Sequence, residues 1–267
     1  MIELLNIVDF LGLSQTDIKE HWQLRVTRAI CGGRDSIYGG CGLAASIHII
    51  EELTKRPCVW ATCQFLRPAH LGKTLTLEAQ ISASGRAVSH ARVIGSCDGE
   101  EVFIALISTG KRDFPVDDTW VTMPKVPGPE NLPARYIRGS HKGGIRDYIE
   151  ERAVTDSADG IMHAPSGRAA VWIHVPGGIA ASAAALALIG DEVSTGTSAV
   201  IEKDMQAPSI DNTLRVIRPE ACEWVLADIE LRAASRGFAH GFVNLWSPRG
   251  ALMAVATQTG ALRIRGT

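Results

Sequence analysis

The sequence predicts an α+β chain of two tandem copies of one unit, each a buried helix wrapped by an antiparallel sheet. Three observations carry that prediction. The first is an internal repeat. CysGlnPheLeuArgPro (63–68), SerGlyArgAlaValSerHis (84–90) and LeuIleSerThrGly (106–110) are echoed by ThrLeuArgValIleArgPro (213–219), SerArgGlyPheAlaHisGly (235–241) and AlaThrGlnThrGly (256–260). Arg67 to His90 is 23 residues and Arg218 to His240 is 22, while His90 to Gly110 and His240 to Gly260 are both 20. A period near 150 residues marks one duplicated domain rather than a solenoid of short repeats. The second observation is that each copy runs from a Gly-Gly opener through an apolar helix-like segment into a meander of alternating strands. The third is a Pro-rich stretch between the copies.

Taken in order, residues 1–11 place Ile2, Leu5, Val8 and Leu11 on one face, a short amphipathic helix. Trp22, Leu24 and Val26 alternate with polar partners and read as a strand. The Gly-rich turn at 36–42 opens a helix over 43–53 that is apolar almost all round and therefore expected to be buried. Pro57 stops it. Strands are expected at 59–66, 74–82 and 87–96, with a hairpin turn at 97–100 leading into 102–108. Residues 113–145 collect Pro115, Pro124, Pro127, Pro129 and Pro133 and read as an extended linker. The expected boundaries are 1–112, 113–145 and 146–267. In the second copy, strands are expected at 148–155 and 169–175 and a helix at 177–189. Strands follow at 212–218, 224–232, 238–246 and 252–258. The helix-to-strand segment 191–209 is longer than its counterpart and is expected to cover a groove or reach a neighbouring subunit.

Composition narrows the class. The 267 residues are 46% hydrophobic and 21% charged, with a net charge of −2, as in an ordinary globular protein. The absence of a basic run argues against a nucleic-acid or membrane-surface partner. The N-terminus lacks the basic region and cleavage site of a signal peptide, and the apolar run 177–189 is too short to span a bilayer. Six cysteines without a CxxC, five of them in the first half, suggest a reduced cytoplasmic protein.

Several motifs invite chemistry. Gly40-Cys41-Gly42-Leu43-Ala44-Ala45 fits GxGxxA, but a dinucleotide site needs a parallel βαβ unit, and antiparallel strands follow here. A helix N-terminus with free N–H groups suits an oxyanion or a thioester carbonyl equally well. Asp159 and His163 have nearly the spacing of a hydratase pair, while a solvated turn reads as well. No GxSxG elbow is present. The histidines form no metal-ligand cluster, and His90 and His240, equivalent in the repeat, point to packing. A residue shared by both copies is architectural, so polar residues found in one copy alone stand out. Aligned on ArgPro, Asp211 stands opposite Trp60; aligned on ThrGly, Gln258 stands opposite Ser108.

The sequence resembles the acyl-CoA thioesterase II-type family, the double-hotdog thioesterases. The pieces that carry the resemblance are TyrGlyGly (38–40), PheLeuArgPro, SerIleAspAsn (209–212), GluTrpValLeu, ArgGlyPheAlaHisGly, SerProArgGlyAlaLeuMetAla and ThrGlnThrGly, which span both halves. The resemblance implies two hotdog units, each a long helix wrapped by an antiparallel sheet. It implies hydrolysis of an acyl-CoA by an activated water, without a covalent intermediate and with no cofactor beyond the CoA of the substrate. An Asp, a Gln and a Ser or Thr hydroxyl would hold the water. Carried over by position, these are Asp211 and Gln258. Ser235 is the nearest hydroxyl, since none stands at Leu231–Arg232, and the family's Asp-His is Asp211-Asn212 here. Asp211 would take the water's proton, Gln258 would orient the water, and N–H groups near Tyr38, Gly39 and Gly40 would polarise the carbonyl. Two other readings stay open: a hotdog that holds an acyl or CoA group without cleaving it, and a hydratase or dehydratase on the same fold. The Gly-rich helix openers suggest close contact with sheet or subunit, and a homo-oligomer is expected.

Overall fold

The computed structural model describes residues 6–32, 35–135, 143–154, 162–179, 182–201 and 205–264. Helix α1 (Ile7–Leu11) is followed by the short strands β1 (Leu13–Gln15) and β2 (His21–Arg25). Helix α2 (Gly39–Thr54) begins four residues before the expected start, because Tyr38 is extended and the two glycines already lie in the helix. It buries one residue after another from Gly40 to Ile47, as its apolar circumference requires. Strands β3 (Cys58–Phe65), β4 (Thr74–Ser84), β5 (Val88–Cys97) and β6 (Glu100–Gly110) follow. The β5–β6 hairpin closes on Asp98 (φ 52°) and Gly99 (φ 81°), the positive-φ pair of a tight two-residue turn.

The second half contains α3 (Ile145–Tyr148), β7 (Glu150–Ala153), β8 (Arg168–Ile179), α4 (Ala183–Ile189) and α5 (Val193–Val200). Then come β9 (Met205–Gln206), β10 (Ser209–Val216), β11 (Cys222–Ser235), β12 (Phe238–Trp246), β13 (Leu252–Ala261) and β14 (Arg263–Ile264). Two expectations change here. The helix foreseen at 177–189 starts only at Ala183, because β8 runs on to Ile179 and Ser182 caps the helix by accepting from Ala185 N–H at 3.0 Å. The long segment 191–209 contains a second helix, α5. Its Val, Ser, Thr and Gly residues are weak helix formers, so sequence pattern did not reveal it. It is held by burial of Val193, Thr195, Thr197 and Ala199 and by the Gln258 side chain, which accepts from Val193 N–H at 2.8 Å.

Twelve strands form one antiparallel sheet in the order β1-β2-β4-β5-β6-β3-β10-β13-β12-β11-β8-β7. Each half has the same order counted from its outer edge, and the halves join where β3 pairs antiparallel with β10. Helices α2 and α4 pack together on the inner face. At Gly40 a Cβ would meet Leu188 O at 2.6 Å and Ala187 O at 3.0 Å, so only glycine lets these backbones approach so closely. A single apolar core runs through both halves. A satellite cluster sits on the outer face of the second half, where Met123, Val126 and Leu132 cover Trp172, Leu226 and Trp246. This is the double-hotdog architecture. Among the described residues no helix is long and apolar enough to cross a membrane.

Candidate active site

The site is best built outward from Gln258. Its position on β13 places it on the inner face, 3% exposed and directly across from Asn212 on β10. A buried amide needs partners, and Gln258 has them. Its Oε1 accepts from Val193 N–H, and its Nε2 donates to Asp191 Oδ1 and, at 3.4 Å, to Ser209 Oγ. Ser209 in turn donates to Asp191 Oδ1 at 3.1 Å, and Gly40 N–H donates to Asp191 Oδ2 at 2.9 Å. Tyr38 OH donates to the Asp191 backbone carbonyl at 2.7 Å. An Asp, a Gln and a hydroxyl therefore meet around Gln258, namely Asp191, Gln258 itself and Ser209.

Asp191 lies in the break between α4 and α5 and is 3% exposed. Burial pushes its carboxyl above the usual carboxylate range. The Gln258 hydrogen bond pulls it back, the neighbouring Glu192 charge raises it further, and Ser209 and Gly40 lower it. Glu192 is itself 1% exposed and is answered by Arg146 at 3.0 Å and by the Thr195 hydroxyl. Arg146 and Arg135 both pair with the buried Glu151, and the Arg146 guanidinium stands 5.6 Å from the Tyr38 ring centre. This ionic network fastens the segment that enters the second half to α5 and to the start of α2. It also gives Glu192 a cation and a hydroxyl as partners.

The residues foreseen from sequence distribute as follows. Tyr38, Gly39 and Gly40 lie against Asp191; a Cβ at Gly39 would meet its Oδ2 at 2.8 Å. Gln258 is at the centre. Asp211 is not brought to it. Alternation with the buried Asn212 and Leu214 puts Asp211 on the outer face, where its Oδ1 accepts from Thr259 N–H at 2.9 Å, and the bulge before it returns Ser209 to the inner face. There it lines a pocket of about 380 Å³ with Thr62, Cys63, Gln64, Ile104, Leu106 and Ile210. Ser235 ends β11 opposite Phe238 at the tip of the β11–β12 hairpin, exposed, with Arg236 (φ 52°) and Gly237 (φ 81°) making the turn. The repeat alignment also shifts by one: His90 pairs with Ser108 and His240 with Thr259, so the counterpart of Gln258 is Ile107. Asp159 lies outside the described residues. Among the described residues no group of three or more His, Cys, Asp or Glu could hold a metal ion.

Sequence reasoning passed over Asp191 and Ser209, although a signal existed for the first. Between Arg168 and Glu202, Asp191 and Glu192 are the only charged residues, set in an otherwise apolar and hydroxyl-bearing run. An isolated acid pair in a segment destined for burial must be paired or used. Ser209 carried no such signal, since only the bulge puts it on the inner face.

The fold and this inner-face cluster define a double-hotdog protein with one polar centre where the two halves meet. The chain belongs to the acyl-CoA thioesterase family. The model of that family's N-terminal domain matches residues 27–110, and that of its C-terminal domain matches residues 122–262. Among solved structures, a candidate thioesterase from Novosphingobium aromaticivorans is 28% identical with a TM-score of 0.87, covering 95% of this chain and 99% of that one. A hotdog-fold protein of unknown function from Alicyclobacillus acidocaldarius is 19% identical, with a TM-score of 0.84 and coverage of 96% and 97%. Acyl-CoA thioesterase II from Mycobacterium marinum is 20% identical, with a TM-score of 0.78 and coverage of 98% and 99%. These last two share the fold. No curated protein sequence matches the chain.

Proposed function

We propose that the chain hydrolyses an acyl-CoA thioester to the free acid and CoA, with Asp191 as general base, Gln258 and Ser209 as its orienting partners, and no covalent intermediate. The observation that carries this reading is the hydrogen-bond inventory of Asp191. An ionised carboxylate offers about four acceptor sites. Three are filled, by Gln258, Ser209 and Gly40. The proposal places the attacking water on the remaining one, held by a carboxyl whose proton affinity burial has raised.

The chemistry follows from that geometry. Asp191 takes a proton from the water as its oxygen adds to the thioester carbon; the intermediate collapses with cleavage of the C–S bond, and the proton passes to the departing thiolate. A thioester is already activated, so positioning and one base supply most of what is needed. The nearby thiols do not compete as nucleophiles. Burial pushes both Cys63 and Cys41 well above the ordinary thiol range, and the Asp191 charge raises them further. Ser209 supplies a hydroxyl beside the base, which favours hydrolysis over acyl binding alone. Asp191, Gln258 and Ser209 are largely closed off, so substrate access requires the chain around them to open.

The test is release of free CoA thiol from acetyl-, hexanoyl-, palmitoyl- and benzoyl-CoA by the full chain and by Asp191→Asn. The expected result is turnover with at least one substrate and a loss of roughly 10²–10⁴-fold in kcat for the variant. Wild-type turnover in a folded Asp191→Asn protein would sink the mechanism.

A further inference from the structure

One side chain in the site has nothing to hold. Asn212 is 1% exposed, yet neither its Oδ1 nor its Nδ2 has a hydrogen-bond partner. On one side β10 pairs it with Gln258, and on the other with Cys63, both buried. The free amide therefore lies on the floor of the site, beside the glutamine that grips Asp191. Burying an unpaired amide is costly, and native proteins keep few such groups without a use for them. The architecture does not ask for one. At the matching place in the first half, Ala61 stands opposite Ile107, and both are fully packed apolar residues.

The donors around Asp191 decide what Asn212 is for. Gln258 Nε2, Ser209 Oγ and Gly40 N–H are spent on the Asp191 carboxylate, Tyr38 OH on the Asp191 carbonyl, and Val193 N–H on Gln258. The Gly40 N–H, one of the N–H groups the sequence offered as carbonyl polarisers, is thus already taken, as is the Tyr38 N–H by Ile30 O. Water addition turns the thioester carbonyl oxygen into an oxyanion, and a donor fixed in advance at that point is worth more than one that must reorganise. We infer that Asn212 is a further catalytic residue whose Nδ2–H donates to the thioester oxygen as negative charge develops on it. The inference rests on the proposed hydrolysis with Asp191 as base.

The test uses the full chain with Asn212→Leu, which is close in shape, Asn212→Ala, which folds even if leucine packs poorly, and Asp191→Asn beside them. Thiol release is followed with the best of the four acyl-CoAs named above, together with thermal unfolding. The expected result is a fall in kcat of about 10²-fold with KM within about threefold, because the contact strengthens only in the transition state. The melting temperature of Asn212→Leu should be unchanged or a few degrees higher, since an unpaired amide has been replaced by an apolar group. Wild-type kcat in either folded variant, with Asp191→Asn inactive, overturns the role of Asn212 and leaves the base intact. A lower melting temperature with kcat preserved in both variants makes Asn212 structural and likewise overturns it. Full turnover in Asp191→Asn removes the hydrolysis reading itself, and this inference with it.

Discussion

The two halves of the molecule share a strand order but differ in what they present to the inner face. At three matched places the first half has Cys58, Ala61 and Ile107, and the second has Ser209, Asn212 and Gln258. Both strands carry a bulge at the same point, after Cys58 and after Ser209. Both also bring an acid to that bulge. Glu51 accepts from Cys58 N–H at 2.7 Å, whereas Asp191 receives the Ser209 hydroxyl. In the first half the acid is answered by backbone and the neighbours are apolar, so it serves the fold. In the second it is answered by two polar side chains, Gln258 and Ser209, as well as by the Gly40 N–H. What repeats between the halves is packing, and what does not repeat is the polar cluster to which the proposed chemistry is assigned. The outer faces differ too. The linker covers Trp172, Leu226 and Trp246 in the second half, while Val59 and Leu106 remain exposed in the first.

The sharpest way to break this comparison is to neutralise acids on opposite sides of it. Asp191→Asn should lower kcat by orders of magnitude, whereas Asp211→Asn, on the outer face, should stay within about twofold of wild type. The reverse pattern in a thiol-release assay would return the chemistry to Asp211. Next in size, Gln258→Ala should cost about 10²-fold in kcat and about 1–3 kcal/mol of stability, because it frees both the base and the Val193 N–H. Steady-state kinetics and urea unfolding read the two effects separately.

Gly40→Ala should destabilise by about 1–3 kcal/mol, since the clash is with backbone carbonyls that cannot swing aside. A denaturation midpoint equal to that of wild type would show that the close approach of α2 and α4 is dispensable. Glu51→Ala should cost about 1–3 kcal/mol by orphaning Cys58 N–H while leaving kcat within about twofold. Lost turnover at equal stability would mean that the first half contributes chemistry after all.

Last, pH links rate and stability through Asp191. Its carboxyl is raised in the folded state by burial. The stability it contributes is therefore full below the ordinary carboxylate pKa and is lost as pH rises through the raised value. Activity has the opposite sign, rising with pH as the base ionises. Asp191→Asn should thus be more stable than wild type at pH 8, with the advantage shrinking toward pH 4, in melting curves taken across that range. A difference independent of pH would mean that Asp191 does not titrate on folding.

Much of this organisation was written in local pattern. Alternation of Leu75, Leu77 and Ala79 located β4 and its face, Asp98-Gly99 located a hairpin, and the all-round apolar 43–53 run located a buried helix. Gln258 stood out because its copy of the motif carries an amide where the other, aligned on ThrGly, carries Ser108, an alignment that the strand register shifts by one. Asp211 drew attention for a similar reason, yet its carboxylate turned to the other face. Asp211 takes that face by alternation with Asn212 and Leu214, while a single extra residue in β10 brings Ser209 inward, and nothing in SerIleAspAsn announces that residue. Asn212 looked like the bystander of Asp211 until the register set it beside Gln258.

By itself, then, the sequence determined the duplication and most strands and turns of each copy, because periodicity and turn chemistry act over a few residues. The tertiary structure decided which acid and which hydroxyl join Gln258. Asp191 and Gln258 are 67 residues apart in the chain, and Asp191 is 151 from Gly40. They meet only because a helix breaks at Gly190, a strand bulges at Ile210, and two glycine-lined helix backbones pack in close contact.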